Sequence, residues 1–264
     1  MRFLTWNRPR RDAAPVFGAT AMPNHVGSTL LSYTMLLTAQ TLDELHDRLP
    51  GLNFKVPPHP APRGETPELY SVVHLLGSIP LCSDDFPLQL AKRERPDFAL
   101  QLGGRSIGIE HTEAVPENTA HESRLRAALG GGVHLVTPAA VGEARKSRKQ
   151  LLKEIEENRF PPPMVGDSVE RRWAEAMAHF IGRKVASAQK PGDAVYDEQW
   201  LAIYDNWPSF ALERQHAIAL LQEHLAADDP FDVFDRVFIL TGQVLVELAG
   251  GRARLHRLNH VRRA

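Results

Sequence analysis

Residues 95–114 read RPDFALQLGGRSIGIEHTEA, and Gly103 and Gly104 at their centre restrict the folding of this chain more than any other feature. A two-residue hairpin loop of type I′ or II′ needs positive φ values, which glycine adopts without a Cβ penalty. Such a loop sets the register: Leu102 faces Arg105, Leu100 faces Ile107, Phe98 faces Ile109 and Asp97 faces Glu110. Residue alternation predicts the same register independently. Phe98, Leu100, Leu102, Ile107 and Ile109 share one face, while Asp97, Ala99, Gln101, Ser106, Gly108 and Glu110 share the other. A slip of one residue would mix the two faces.

The register therefore opposes two carboxylates. Directly opposed cross-strand residues have Cβ atoms about 5 Å apart. Two like charges at that separation cost about 1 kcal/mol in water and several in a partly buried site. A second diglycine, Gly250 and Gly251, makes the contrast, because the same arithmetic sets Glu247 opposite Arg254, an attractive pair. Three arrangements would relieve the repulsion between Asp97 and Glu110. One acid is solvated or salt-bridged to Arg95 or Arg105, or the two share a proton and one pKa rises, or a divalent cation bridges them. Ala99 and Gly108, the next cross-strand pair, are expected to leave open space beside the acids.

The surrounding pattern predicts an α/β fold with a mixed sheet. Residues 1–65 read as an N-terminal extension, with helix-spaced leucines in STLLSYTMLLTAQTLDELHDRL (28–49) and a proline-rich connector, VPPHPAPRGETP (56–67). A helix is predicted over TPELYSVVHLLG (66–77), with proline in its first turn and Glu68 beside it. Further helices are predicted over 121–132, 138–158, from Asp167 onward with a capping box to Glu170, and over 211–227. WLAIYDNW (200–207) has the apolar run of a buried central strand, and two or three strands are predicted over 235–258.

Charge narrows the function classes. Lys and Arg number 31 against 32 acidic residues, so any grip on nucleic acid must be local. Two segments offer it: ARKSRKQLLK (144–153) and RARLHRLNHVRR (252–263). The single cysteine, Cys82, excludes an intramolecular disulfide and a cysteine-rich zinc site and points to a reducing compartment. No apolar run has the length of a membrane span, and the N-terminus lacks the apolar core of a signal peptide. A cytoplasmic protein without a membrane partner is expected.

Arg95-Pro96-Asp97-Phe98, a hairpin, and then Gly108-Ile109-Glu110-His111-Thr112 resemble the motif of the PD-(D/E)XK nuclease superfamily. The order of helix, three-strand meander, helix and strand over 66–207 is similar to that superfamily's core, so the resemblance covers roughly half the chain. It implies a restriction-endonuclease-like core, a mixed central sheet flanked by helices, within 66–264. It implies Asp97 and Glu110 as catalytic, metal-binding acids, the His111 carbonyl as a third ligand, and Mg²⁺ or Mn²⁺ as cofactor. The implied activity is phosphodiester hydrolysis in nucleic acid, with DNA ahead of RNA, and a homodimer is a further expected assembly.

One position departs from the pattern. The family lysine falls two residues after the glutamate, where this chain has Thr112. That ammonium orients the attacking water and offsets charge on the phosphorane. A replacement is offered by the predicted helix from 168, whose apolar stripe runs Trp173, Met177, Phe180 and Ile181 and then meets Lys184. A lysine in a core-facing stripe either snorkels to water or has a task, and Lys184 is the expected catalytic lysine. Lys146, Lys149 and Arg105 are weaker candidates, and Glu68 matches by position an accessory acid of some members. The alternative reading is a retained nuclease fold without chemistry, serving as a binding module for nucleic acid or protein. The His111 side chain, by alternation, points to the apolar face as a core histidine.

Overall fold

Strands that alternate apolar and polar residues pair along one sheet, whose eight strands follow one another in space in sequence order. The computed structural model describes residues 33–54, 65–130, 139–157, 165–188, 195–227, 229–259 and 261. The strands are β1 (Thr34–Ala39), β2 (Leu88–Lys92), β3 (Phe98–Leu102), β4 (Arg105–Ala114), β5 (Glu198–Asp205), β6 (Arg236–Thr241), β7 (Val244–Ala249) and β8 (Arg252–Arg257). β4, β5 and β6 run parallel, and every other neighbouring pair is antiparallel. Parallel neighbours require crossovers. Helices α3 (Glu117–Ala128), α4 (Arg148–Glu157) and α5 (Ser168–Ala188) lie in the first crossover, and α6 (Arg214–Leu225) in the second. Two further helices, α1 (Leu42–Arg48) and α2 (Glu65–Leu76), precede β2. The α/β class and the mixed sheet flanked by helices are thus as expected.

Both faces of the sheet's central strands are buried. Trp200 and Ala202 of β5 join Val73, Leu76, Leu100 and Ile107 in a core beneath α2. Leu201 and Ile203 join Trp173, Met177, Leu221 and Val237 in a second core beneath α5 and α6. This is why 200–207 has no polar alternation: a central parallel strand presents apolar side chains to both layers.

Several local expectations change in the structure. The leucines of 28–49 predict helix, yet β1 pairs with β2 and, among the described residues of this stretch, only Leu42–Arg48 is α-helical, capped by Thr41 Oγ1, which accepts from Glu44 N at 3.2 Å. Ladder hydrogen bonds to β2 override the leucine spacing, and residues read as an extension supply the first strand of the sheet. Of the connector predicted over 56–67, residues 56–64 lie outside the described residues and 65–67 open α2. The helix predicted over 138–158 is confined to 148–157 among the described residues. Upstream, Gly142 takes φ +73°, and Asn118 bonds the Ala144 carbonyl and the Lys146 N–H at 3.0 and 2.9 Å, using groups a helix would need.

Glu170 is spent on tertiary structure rather than a capping box, because its Oε1 accepts from Glu213 N at 2.8 Å. The second hairpin has the predicted register, Glu247 opposite Arg254. The ion pairs differ, however. Buried Glu247 is held by Arg236 at 3.0 Å and His256 at 2.7 Å, which lie on the same face of β6 and β8, while Arg254 is exposed.

Candidate functional site

The predicted register of the first hairpin is reproduced: Phe98 opposes Ile109, Ala99 opposes Gly108, and Leu102 opposes Arg105 across Gly103 (φ +50°) and Gly104 (φ +88°). β4 outruns its partner. Residues 105–109 pair with β3, whereas 110–114 pair only with β5. The free side can be identified from backbone direction. The carbonyls of Ser106 and Ala114 accept from Asp197 N and Asn206 N on the β5 side. Alternate residues point the other way, with N–H and C=O together. His111 therefore turns its N–H and carbonyl toward Asp97, and its N–H donates to Asp97 Oδ2 at 2.7 Å.

Glu110 points to the opposite face from the His111 ring, toward α5. There Lys184 donates from Nζ to Glu110 Oε2 at 2.7 Å, and the same ammonium stands 3.9 Å from Asp97 Oδ2. The apolar stripe places it. Trp173, Met177, Phe180 and Ile181 bury the helix face against the sheet, and Lys184, one turn beyond Phe180, is delivered over the acids rather than to bulk water. The three side chains are each roughly a quarter exposed or less, at 22–25%, so the charges interact in a medium less polar than water. Of the three arrangements open from the sequence, a salt bridge is present, but its donor is neither expected arginine. Arg105 is taken by Asp85 at 2.9 Å and Glu198 at 2.6 Å, and no Arg95 ion pair to either acid occurs among the described residues.

The open space lies elsewhere than predicted. A Cβ on Gly108 would meet Gln199 Oε1 at 2.6 Å and Pro96 and Tyr196 at 3.0 Å. The pocket expected beside the acids is filled by these side chains. Gly108→Val should consequently lower stability by about 1–3 kcal/mol through overpacking, read as the shift in urea midpoint; a loss well under 1 kcal/mol would contradict this packing. The cleft, of 340 Å³, opens instead over the unpaired end of β4, where His111, Thr112 and Glu113 form its floor and Phe180, Arg183, Lys184 and Ser187 one wall. Glu68 lines the opposite wall and pairs with Lys92 at 2.5 Å, whose ammonium lies 4.5 Å above the Phe98 ring.

The His111 ring is a core histidine, as alternation predicts, and is 8% exposed. Ser71 Oγ donates to the Pro67 carbonyl at 2.7 Å. Its lone pairs must therefore receive a proton from His111 Nε2, 3.1 Å away, which assigns the Nε2–H tautomer. Burial first, then the Lys184 and Lys92 charges, lower the ring's pKa from 6.5 to about 3. The unfolded chain then binds the extra proton between these values, so this contribution is complete above pH 6.5 and is lost as pH falls toward 3. In metal-free protein, His111→Gln should flatten the rise of unfolding free energy between pH 4 and 6 by about 1.4 kcal/mol per pH unit. Parallel slopes for both proteins in urea titrations would refute the assignment.

Arg183 and Lys92 are residues the sequence reading missed. Arg183 is next to Lys184 but outside the apolar stripe, and Lys92 gains its position only through the pairing of β2 with β3, which sets it opposite Phe98. Of the predicted basic segments, Lys146 is tied to Glu154 at 2.9 Å and Lys153 to Glu157 at 3.8 Å. Arg145, Arg148 and Lys149 are exposed without an ion pair among the described residues. Lys146 and Lys149 are thus surface groups, not neighbours of the acids. Arg252, Arg254 and Arg257 are exposed along β8, whereas residues 262–264 lie outside the described residues.

The donor set suits a hard cation. Two carboxylates and an outward-facing carbonyl match the oxygen ligands of Mg²⁺, which takes one or two protein carboxylates and completes its shell with water and phosphate. No group of three or more His, Cys, Asp or Glu side chains arranged for a metal occurs among the described residues, so an ion here would rely on Asp97, Glu110 and the His111 carbonyl. No helix among them is long and apolar enough to cross a membrane. No protein-family model, curated protein or solved structure matches the chain.

Proposed function

We propose that the chain is a metal-dependent nuclease of the PD-(D/E)XK type that hydrolyses phosphodiester bonds, most readily in DNA. The observation that carries this reading is the convergence of Lys184 on the Asp97 and Glu110 pair, beside a cleft floored by the unpaired end of β4. An ammonium that sequence alone assigns to a distant helix reaches the acids whose motif lacks its own lysine. The succession of α2, the β2–β3–β4 meander, a crossover that ends in α5 after α3 and α4, and β5 parallel to β4 supports a restriction-endonuclease-like core around them.

Asp97, Glu110 and the His111 carbonyl would hold Mg²⁺ or Mn²⁺, which when bound supplies Lewis acidity and a more acidic water. Lys184 orients the attacking water and offsets charge on the pentavalent phosphorus. The Asp97 carboxylate is kept in place by the His111 N–H, so it does not have to reorganise when phosphate arrives. Thr112, at the position of the missing lysine, contributes a small floor that leaves room for the strand. Arg183 at the cleft, and Arg145, Arg148 and Lys149 at the surface, meet phosphates with a salt-dependent grip.

The test is cleavage of plasmid, single-stranded DNA and RNA by the full chain in Mg²⁺, with EDTA as control. Activity that EDTA abolishes supports the reading; no cleavage of any substrate in Mg²⁺ or Mn²⁺ refutes it. One observation favours a second reading, a binding module with lost chemistry: the Lys184 ammonium itself already neutralises Glu110. Calorimetry with Mn²⁺ separates the two, because the module has no affinity at the acid pair.

A further inference from the structure

A second cleft, of 450 Å³, is lined by Tyr204 and Asp205 at the carboxyl end of β5 and by Leu240 and Thr241 at that of β6. Open α/β sheets place ligands at this end of their parallel strands, and the volume lies in the range of small-ligand sites. Its lining is predominantly polar and includes Tyr70, Ser209, Ala211 and Arg214.

Two features of this lining lack an internal explanation. Arg214 has no hydrogen-bond or ion-pair partner among the described residues, and its Nε is buried and unsatisfied. A desolvated guanidinium nitrogen without an acceptor is costly. The Thr241 side chain also lines the cleft, and its hydroxyl has no hydrogen-bond partner among the described residues, so it is open to a ligand. Ala211 holds φ +55°, the one non-glycine residue with positive φ among the described residues. Such strain concentrates at ligand clamps.

The charges nearby select the ligand. The Asp205 carboxylate accepts from Trp173 Nε1 at 2.8 Å and from Trp207 N at 3.1 Å. Glu213 caps α6, accepting from Gln215 N and His216 N at 3.1 and 2.6 Å. That capping removes the helix N-terminus as an attractor, and both acids are bound to donors other than Arg214. Tyr204 remains a neutral phenol, since burial pushes its pKa up to about 12. Arg214, the one cation of this lining, set beside the Thr241 and Tyr204 hydroxyls, fits a compact oxyanion.

We propose that this cleft binds a phosphoryl group, with Arg214 supplying the charge and the Thr241 and Tyr204 hydroxyls donating hydrogen bonds. That chemistry is common to free phosphate and to a phosphate of a nucleic-acid strand. Calorimetry on the full chain without divalent cations tests it, using inorganic phosphate and then single-stranded oligonucleotides with a 5′-phosphate or a 5′-hydroxyl as competitors. Saturable phosphate binding is expected, weakened about ten-fold or more in Arg214→Gln and partly restored in Arg214→Lys. Displacement by the 5′-phosphorylated strand alone assigns a strand end, displacement by both assigns a backbone phosphate, and displacement by neither assigns a soluble phosphate. Equal affinity of wild type and Arg214→Gln, or no binding of any probe, overturns the proposal. Should Arg214→Gln fail to fold by circular dichroism, Thr241→Val and Tyr204→Phe replace it, and unchanged affinity in both overturns it too. The site is independent of the acid pair: Asp97→Asn is expected to bind phosphate as wild type does, whether or not the wild-type chain cleaves.

Discussion

Asp97→Asn is expected to reduce Mg²⁺-dependent cleavage by about 10²–10³-fold while leaving the fold intact. Asparagine has the same shape, and its Oδ1 can still accept from the His111 N–H that holds Asp97 at 2.7 Å. What it removes is the anion. An ion held by two carboxylates and a carbonyl loses half of its protein charge, and loss of one preorganised electrostatic group is worth a factor of that size. Stability should move the other way. Asp97 and Glu110 are like charges gathered around the one Lys184 ammonium, which bonds Glu110 at 2.7 Å and stands 3.9 Å from Asp97, so removing the Asp97 charge is expected to leave metal-free stability unchanged or raise it by about 1 kcal/mol. Glu110→Gln should lose activity similarly, but it also releases Lys184 from its 2.7 Å contact. Initial cleavage rates with thermal melts of the same preparations decide the matter. Wild-type rates in both variants would end the assignment of these acids to catalysis.

Lys184→Met is expected to have the second largest effect, and its signature is different. The methionine keeps the apolar stem against the sheet but leaves Asp97 and Glu110 without their ammonium. Breaking a buried ion pair costs about 3–5 kcal/mol; with side chains 22–25% exposed, roughly 1–3 kcal/mol is expected in metal-free protein. Mn²⁺ should restore most of that loss, so the metal-induced rise in Tm should be larger in the variant than in wild type. Cleavage should nonetheless fall about 10²-fold, since the metal replaces the charge but not the donor aimed at the phosphate. A variant that gains metal stabilisation and keeps full activity would make Lys184 a structural counter-ion only.

The parts of the site that could be read from sequence are those set by local geometry. The diglycine and the alternation of Phe98, Leu100, Ile107 and Ile109 define the hairpin register within a stretch of twenty residues. Lys184 was legible as an anomaly, a charge at the end of an apolar stripe whose other members are buried. Other features depend on distant partners. Nothing local shows that Tyr196 and Gln199 would fill the space beside Gly108, that Arg236 and His256 rather than Arg254 would hold Glu247, or that Leu36 and Leu37 would lie in a strand.

The sequence by itself determined which residues of the hairpin face one another, because two-residue periodicity and glycine's access to positive φ act over a few bonds. Only the tertiary structure decided what those residues meet. The parallel docking of β5 leaves 110–114 with one free edge, the packing of α5 brings an ammonium onto the acids, and the ends of β5, β6 and α6 gather Arg214, Thr241 and Tyr204 around one cleft. Contacts between segments far apart in the chain follow from how whole faces bury their apolar area, and that is settled by the packing of layers rather than by any short stretch of residues.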